Sequence, residues 1–148
     1  MDRGRGTGRK VRSQLINPTA AIRLARPSRH LADTERFYVQ GLGLHVLYRV
    51  TAASPDEHDL VMLGWPEAPW HLELVGGSNL DAFPSPTAED LLVLYLATPV
   101  DEAMINRLEA AGGRQITQSA YWDRWGVTVQ DPDGYRLVLS SRAWSNAT

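Results

Sequence analysis

The chain of 148 residues contains no cysteine. This absence excludes disulfide bonds, thiolate catalysis and cysteine-ligated zinc or iron–sulfur centres, and it fits a reducing compartment. No apolar run approaches the roughly 20 residues that cross a bilayer, and no secretory-type apolar segment lies near the start. We therefore expect a soluble, cytoplasmic protein that does not interact with a membrane.

The sequence also lacks the common signatures of nucleotide hydrolysis and acyl transfer, since it has no phosphate-binding glycine loop and no serine-nucleophile elbow. Its net charge of −2 divides unevenly. Residues 1–19 hold five basic residues and one acid, a net of +4, which leaves −6 for residues 20–148. An acidic body without a concentrated basic face argues against nucleic acid as a partner. We interpret residues 1–19 as a flexible basic extension.

The order of predicted elements repeats. Residues 20–76 and 90–142 each read as strand, helix, strand, strand, strand, with a Gly/Ser/Pro-rich linker at 77–89 and a tail at 143–148. The pattern predicts an α+β fold in which two tandem βαβββ modules form one curved mixed sheet around a central cleft. The second helix is expected to begin at an N-cap Thr98, and the aromatic segment before Trp125 is expected to be a loop.

One short strand, residues 70–75, carries two polar side chains among apolar ones. Side chains alternate across a strand, so His71 and Glu73 share one face while Leu72 and Leu74 share the other. We interpret the leucine face as core and the His71/Glu73 face as the wall of a small-molecule cleft.

The chain resembles the vicinal oxygen chelate superfamily, which includes glyoxalase I, extradiol dioxygenases, and fosfomycin-resistance and bleomycin-resistance proteins. The resemblance covers residues 20–142 and depends on three motifs: Glu35-Arg36-Phe37-Tyr38, Gly41-Leu42-Gly43-Leu44 and Asp131-Pro132-Asp133-Gly134-Tyr135-Arg136-Leu137. These motifs indicate the fold but not the reaction, because members that share paired modules differ in chemistry.

The resemblance implies four metal-ligand positions, one on the first and one on the last strand of each module. They correspond to Arg23, Glu73, Leu91 and Val138. Only Glu73 has a side chain that ligates metal, because a guanidinium donates hydrogen bonds and the aliphatic residues offer no donor atom. The chain also has no histidine after His71. We therefore expect no native metal or other cofactor.

Two interpretations remain open for Arg23 and Glu73, which are expected to form a buried or half-buried ion pair. In the first, a ligand opens the pair, with Arg23 binding a carboxylate or phosphate; in the second, the pair only fills the cavity. His71 is either a general base or a hydrogen-bonded wall residue beside Glu73. Further candidate ligand-binding residues, which are aromatic or cationic, are Tyr95, Trp122 and Arg124.

The sequence thus favours a metal-free protein that binds an aromatic or anionic compound, and it favours a homodimer, which the resemblance implies. The first alternative is a lyase-like or dioxygenase-like enzyme acting on a small carbonyl or aromatic substrate, with His71 and Glu73 as candidate catalytic residues or with an atypical metal at Glu73. The second alternative is a structural dimer without a ligand.

Overall fold

A computed structural model describes residues 15–147. Most of the predicted basic extension, residues 1–14, lies outside this range. The first module consists of β1 (Ile22–Pro27), α1 (Leu31–Arg36), β2 (His45–Val50), β3 (Asp59–Gly64) and β4 (Trp70–Gly76). A π-helical segment, Phe37–Leu42, continues α1 and ends at Gly43, whose φ of +92° suits glycine.

The second module repeats this order and adds one helix. It consists of β5 (Leu91–Tyr95), α2 (Glu102–Ala110), β6 (Arg114–Ile116), α3 (Ala120–Trp125), β7 (Gly126–Gln130) and β8 (Arg136–Ser140). In the described part of the chain, no helix is long and apolar enough to span a membrane.

The strands form two four-stranded mixed sheets, in the orders β1-β4-β3-β2 and β5-β8-β7-β6. In each sheet the first strand of the module pairs parallel with the last, and the other pairs are antiparallel. The α+β fold with two tandem βαβββ modules is therefore confirmed. The strands do not form one continuous sheet, because no ladder of hydrogen bonds joins the two sheets within residues 15–147.

The core lies between the sheets and the helices. Leu72 and Leu74 of β4 are buried there, together with Phe37 of the π-helical segment, and Leu137 and Leu139 of β8 repeat the pattern. We call the opposite sides of the two sheets the first open face and the second open face. The alternation predicted for residues 70–75 therefore holds, since the leucines face the core and His71 and Glu73 lie on the first open face.

The modules are held together by the turn that joins β7 to β8. Asp133 accepts hydrogen bonds from the hydroxyls of Ser28 and Thr34, the latter at 2.7 Å, and from the backbone N–H of Arg29 at 2.8 Å. The backbone N–H of His30 adds a longer bond of 3.3 Å. One carboxylate thus binds the start of α1 at several points, so the turn that identified the fold also connects its two halves.

A second buried contact lies beside this turn. Tyr38 donates its hydroxyl hydrogen to Asp131 at 2.7 Å and accepts one from Arg26 at 3.4 Å. Burial raises the pKa of Asp131 above 3.8, although the Tyr38 hydroxyl acts in the opposite direction. Burial and the neighbouring Asp131 raise the pKa of Tyr38 well above 10. The tyrosine therefore stays protonated, as a donor must.

Two local predictions are wrong. Asp101, not Thr98, caps α2, because its carboxylate accepts from the backbone N–H of Ala103 at 2.9 Å. The segment expected to be a loop before Trp125 forms α3, which begins after Ser119, whose hydroxyl accepts from the backbone N–H of Trp122. In both cases the polar residue immediately before the first helical turn decides where the helix starts.

Candidate ligand-binding site

The strand registers define which side chains share the first open face. Arg23 of β1 lies opposite His71 of β4, and Glu73 lies opposite Met62 of β3. Gly64 lies beside His71, and a Cβ built on it would stand 3.0 Å from the Cβ of His71, so the glycine allows these strands and the imidazole to fit together.

Arg23 contacts three side chains of this face, and we call the four residues the Arg23 cluster. Its Nε donates to Nε2 of His71 at 3.1 Å, its Nη1 lies 3.7 Å from Oε1 of Glu73, and its Nη2 lies 3.5 Å from Sδ of Met62. The side chain of Arg23 is 49% exposed and that of Glu73 is 13% exposed. The structure thus contains the predicted ion pair in a partly exposed form.

The shorter contact of Arg23 is with His71, not with Glu73. For Nε2 of His71 to accept a hydrogen bond, the ring must be neutral, with its proton on Nδ1. The guanidinium therefore occupies the nitrogen that a general base or a metal ligand would use. Sequence reasoning treated His71 as a neighbour of the ion pair and missed this bond.

Apolar side chains border the Arg23 cluster. Tyr48 of β2 lies opposite Met62, and Leu60 of β3 lies opposite Val75 of β4 on the same face. Tyr48 is 57% exposed, and Leu47, displaced by an irregularity in the β2–β3 register, is also exposed. The first open face therefore combines a charged group with exposed aromatic and aliphatic area, which suits a small molecule that is partly polar and partly flat.

The donor groups of this face do not fit a resident metal. A divalent metal with histidine and carboxylate ligands requires three or four such groups that converge. Within residues 15–147, no three His, Cys, Asp or Glu side chains are grouped to hold an ion. His71 and Glu73 instead contact a guanidinium, and the second module places Leu91 and Val138 at the positions that the resemblance implies.

The second open face is partly covered by the chain itself. Thr128 of β7 and Val138 of β8 lie opposite one another on this face, and both are buried. The helix α3 also packs against both strands. The hydroxyl of Thr128 has no hydrogen-bond partner among the described residues.

The remaining predicted binding residues lie in the second module. Tyr95 packs on Trp144 with ring centroids 6.0 Å apart, Trp122 meets Tyr121 at 5.0 Å, and Arg124 lies 4.9 Å from the ring of Trp125. No hydrogen bond or ion pair between described residues joins Tyr95, Trp122 or Arg124 to the Arg23 cluster. The structure thus brings together Arg23, His71 and Glu73 but not the full predicted set.

Both modules line one cavity at the seam where β1 and β5 approach. Its volume is about 370 Å³. It is lined by Leu24, Ala25, Arg26, Glu89, Asp90, Leu91 and Tyr135. Ala25 is the register partner of Glu73, and Leu91 is that of Arg136, whereas Leu24 and Arg26 lie on the core side of β1.

Sequence reasoning missed Arg136, which lies on the second open face. Its Nη1 donates to Oε1 of Gln118 at 2.6 Å. The alternation of β8 was sufficient to find it, because Arg136 stands two residues before Val138 and therefore on the same face.

Comparisons with known proteins agree with the two-module architecture. Residues 22–75 match the family model of the YycE-like N-terminal domain, and residues 89–141 match that of the YycE-like C-terminal domain. The chain is 38% identical over 123 residues to the uncharacterized protein YycE of Bacillus subtilis (strain 168), and the match covers 81% of this chain and 86% of that protein.

Solved structures extend the comparison. The crystal structure of YycE from Bacillus subtilis matches with a TM-score of 0.75 and 32% identity, over 88% of this chain and 95% of that one. The antibiotic binding protein TnmS3 from Streptomyces sp. CB03234 matches with a TM-score of 0.59 and 21% identity, over 88% and 99%. A mutant of the fosfomycin resistance protein FosX from Listeria monocytogenes, complexed with Mn(II), matches with a TM-score of 0.62 and 11% identity, over 88% of this chain and 95% of that one. At these low identities, the matches to TnmS3 and FosX show a shared fold alone.

Proposed function

Because the chain belongs to the YycE-like family and has the fold of the vicinal oxygen chelate superfamily, we propose that it binds a small aromatic or anionic molecule without a resident metal. The observation that carries this proposal is the Arg23 cluster. A guanidinium bonded to His71 and facing Glu73 stands where a related metal enzyme would present ligands, and beside it lies exposed apolar area.

The fold neighbours include both kinds of protein. TnmS3 is an antibiotic binding protein, and the FosX structure contains Mn(II). The side chains of this chain favour the first kind, because its arginine contacts the two residues that could ligate metal. Binding without chemistry requires only complementary surface, which the Arg23 cluster and Tyr48 supply.

The experiment is a thermal-shift screen of the full chain with aromatic and anionic compounds, since a ligand that binds only the folded state raises its melting temperature. For any compound that binds, Glu73→Gln should abolish the shift while the protein remains folded by circular dichroism. Arg49→Gln, which removes an ion pair with Glu35 on the other side of the same sheet, is the matched control and should bind normally.

Metal analysis separates this proposal from the enzymatic alternative. Protein purified without chelator should contain no stoichiometric Fe, Mn, Ni or Zn. One equivalent of any of these metals in the wild type, and its loss in His71→Ala, would contradict the proposal. That result would favour a lyase-like or dioxygenase-like enzyme. Absence of binding by every compound would favour the structural dimer.

We also propose that the protein forms a homodimer. The support is the exposed apolar area on β1, where Ile22 is 63% exposed and Leu24 is 44% exposed. Light scattering during size-exclusion chromatography should give twice the monomer mass of 16.4 kDa. Replacing Ile22 and Leu24 with serine should shift the mass to that of the monomer.

A further inference from the structure

We propose that Arg136 of the second module, rather than Arg23, binds the anionic group of the ligand, a carboxylate, phosphate or phosphonate, and that the side chain of Gln118 occupies this position when no ligand is bound. This inference rests on the proposed function and specifies which residue recognises charge. It follows from a comparison of the partners of the two arginines.

Arg23 already has three partners within its own module. It donates to His71, contacts Met62 and faces the carboxylate of Glu73. Arg136 has one hydrogen-bonded partner among the described residues, the neutral amide oxygen of Gln118. The salt bridges found in residues 15–147, Arg23 with Glu73 and Arg49 with Glu35, both lie in the first module. The charge of Arg136 is therefore not offset by a bonded acid.

A second arginine lies on the same face as Arg136. Arg136 lies opposite Gln130, and Gln130 lies opposite Arg114, so these three side chains form a row across the second open face. Nη2 of Arg114 donates to Oε1 of Gln130 at 3.1 Å. Two guanidiniums are thus separated by an amide, and neither has a carboxylate partner in the described chain. An anion in this row forms charge-assisted bonds that the amides do not.

Gln118 is held so that its oxygen faces Arg136. Its backbone N–H donates to Asp123 at 3.0 Å, and its Nε2 donates to the carbonyl of Ala88 at 2.6 Å. The amide oxygen therefore marks a position within hydrogen-bond distance of the half-buried guanidinium. A carboxylate or phosphonate oxygen that displaces it exchanges a neutral acceptor for a charged one.

Arg136 takes the position in the second module that His71 takes in the first. It lies on the last strand opposite Leu91 of the first strand, as His71 lies opposite Arg23. Leu91 and Ala25 both line the seam cavity, and Ala25 lies opposite Glu73. The seam cavity thus lies beside the register partners of Arg136 and Glu73, and its own lining includes the acids Glu89 and Asp90.

The experiment measures the affinity of phenylphosphonate by isothermal titration calorimetry in wild type and three variants. Arg136→Gln should weaken binding by about tenfold or more, and Arg136→Lys should recover part of the loss because it keeps the charge. Gln118→Glu should abolish binding and raise the melting temperature, because it supplies an anion from within the chain. Arg49→Gln, on the other side of the first sheet, should bind as wild type does.

A purely structural role for Arg136 predicts the opposite pattern, in which Arg136→Gln lowers the melting temperature and leaves the affinity for phenylphosphonate unchanged. That result, or a tenfold loss in Arg23→Gln alone, overturns the inference and leaves the proposed function intact. The same conclusion follows if neutral aromatic compounds bind wild type and phenylphosphonate does not. If neither neutral nor anionic compounds bind, the proposed function itself is wrong.

Discussion

The two modules share one topology but present different open faces. In the first module no helix of the described chain packs on the open face, and the charge of Arg23 is offset by Glu73 while its Nε donates to His71. In the second module α3 packs on the corresponding strands, Thr128 and Val138 are buried, and Arg136 meets a neutral amide. The repeated backbone therefore supplies two similar walls, and the side chains on each wall determine what it recognises.

The difference also separates structural residues from binding residues. The buried polar contacts between the modules, centred on Asp131 and Asp133, are satisfied and lie at the turn of the second module. The groups that retain capacity for a ligand lie on the open faces. Variants of the junction residues should therefore change stability, and variants of residues on the open faces should change binding.

The largest effect is expected from Asp133→Ala, which separates the modules. Its carboxylate accepts hydrogen bonds from the buried side chains of Ser28 and Thr34 and from the backbone of Arg29. Leaving these donors unsatisfied should lower the free energy of unfolding by about 3 kcal/mol, measured by urea denaturation. Asp33→Ala, an exposed acid of α1, is the control and should cost less than about 0.5 kcal/mol. Equal effects would show that the turn does not connect the modules.

A matched pair of threonines tests whether polar burial differs between the modules. The hydroxyl of Thr34 donates to Asp133 at 2.7 Å, whereas that of Thr128 has no partner among the described residues. Thr34→Val should lower the free energy of unfolding by about 1.5 kcal/mol, and Thr128→Val should raise it by about 1 kcal/mol. Thermal and urea unfolding measure both. A loss of stability in Thr128→Val would reveal a partner for that hydroxyl.

The pH dependence of stability tests the buried contact at the junction. Burial raises the pKa of Asp131 above 3.8, so between 3.8 and its folded-state pKa the folded protein binds more protons than the unfolded protein. The contribution of Asp131 to stability therefore increases as the pH falls through the folded-state pKa, and it levels off below 3.8. Relative to Asp131→Asn, wild type should gain stability on acidification over that window in urea titrations. A relative loss would contradict a raised pKa.

The smallest effect on stability is expected on the first open face. The ion pair of Arg23 and Glu73 is partly exposed and 3.7 Å long. Arg23→Gln should therefore change the free energy of unfolding by no more than about 0.5 kcal/mol. Chemical denaturation measures this change. A loss as large as that of Thr34→Val would show that the Arg23 cluster stabilises the fold and would weaken its assignment to binding.

Sequence periodicity predicted most of the fold. The alternation of residues 70–75 placed Leu72 and Leu74 in the core and His71 and Glu73 on the open face, because a strand has only two faces. The helix α3 was missed because it has six residues, too few for a helical period to become visible, and its start depends on the hydroxyl of Ser119.

The candidate site was only partly predictable. The Arg23–Glu73 pair was predicted from which strands become neighbours, and the structure contains it. The hydrogen bond from Arg23 to His71 was not predicted. It depends on the register of the parallel pair β1–β4, and no local sequence pattern specifies that register. Arg136 was overlooked because it was counted as part of a fold motif, although the alternation of β8 placed it on the open face.

The parallel pairing of β1 with β4 has a consequence for the order in which the protein folds. Arg23 and His71 are 48 residues apart, whereas β3 and β4 form a hairpin from neighbouring sequence. Closing the longer loop costs more chain entropy, so we expect the hairpin to form first and β1 to add to it late. The Arg23 cluster is then among the last features to assemble, and a nascent or partly unfolded chain has no competent binding wall.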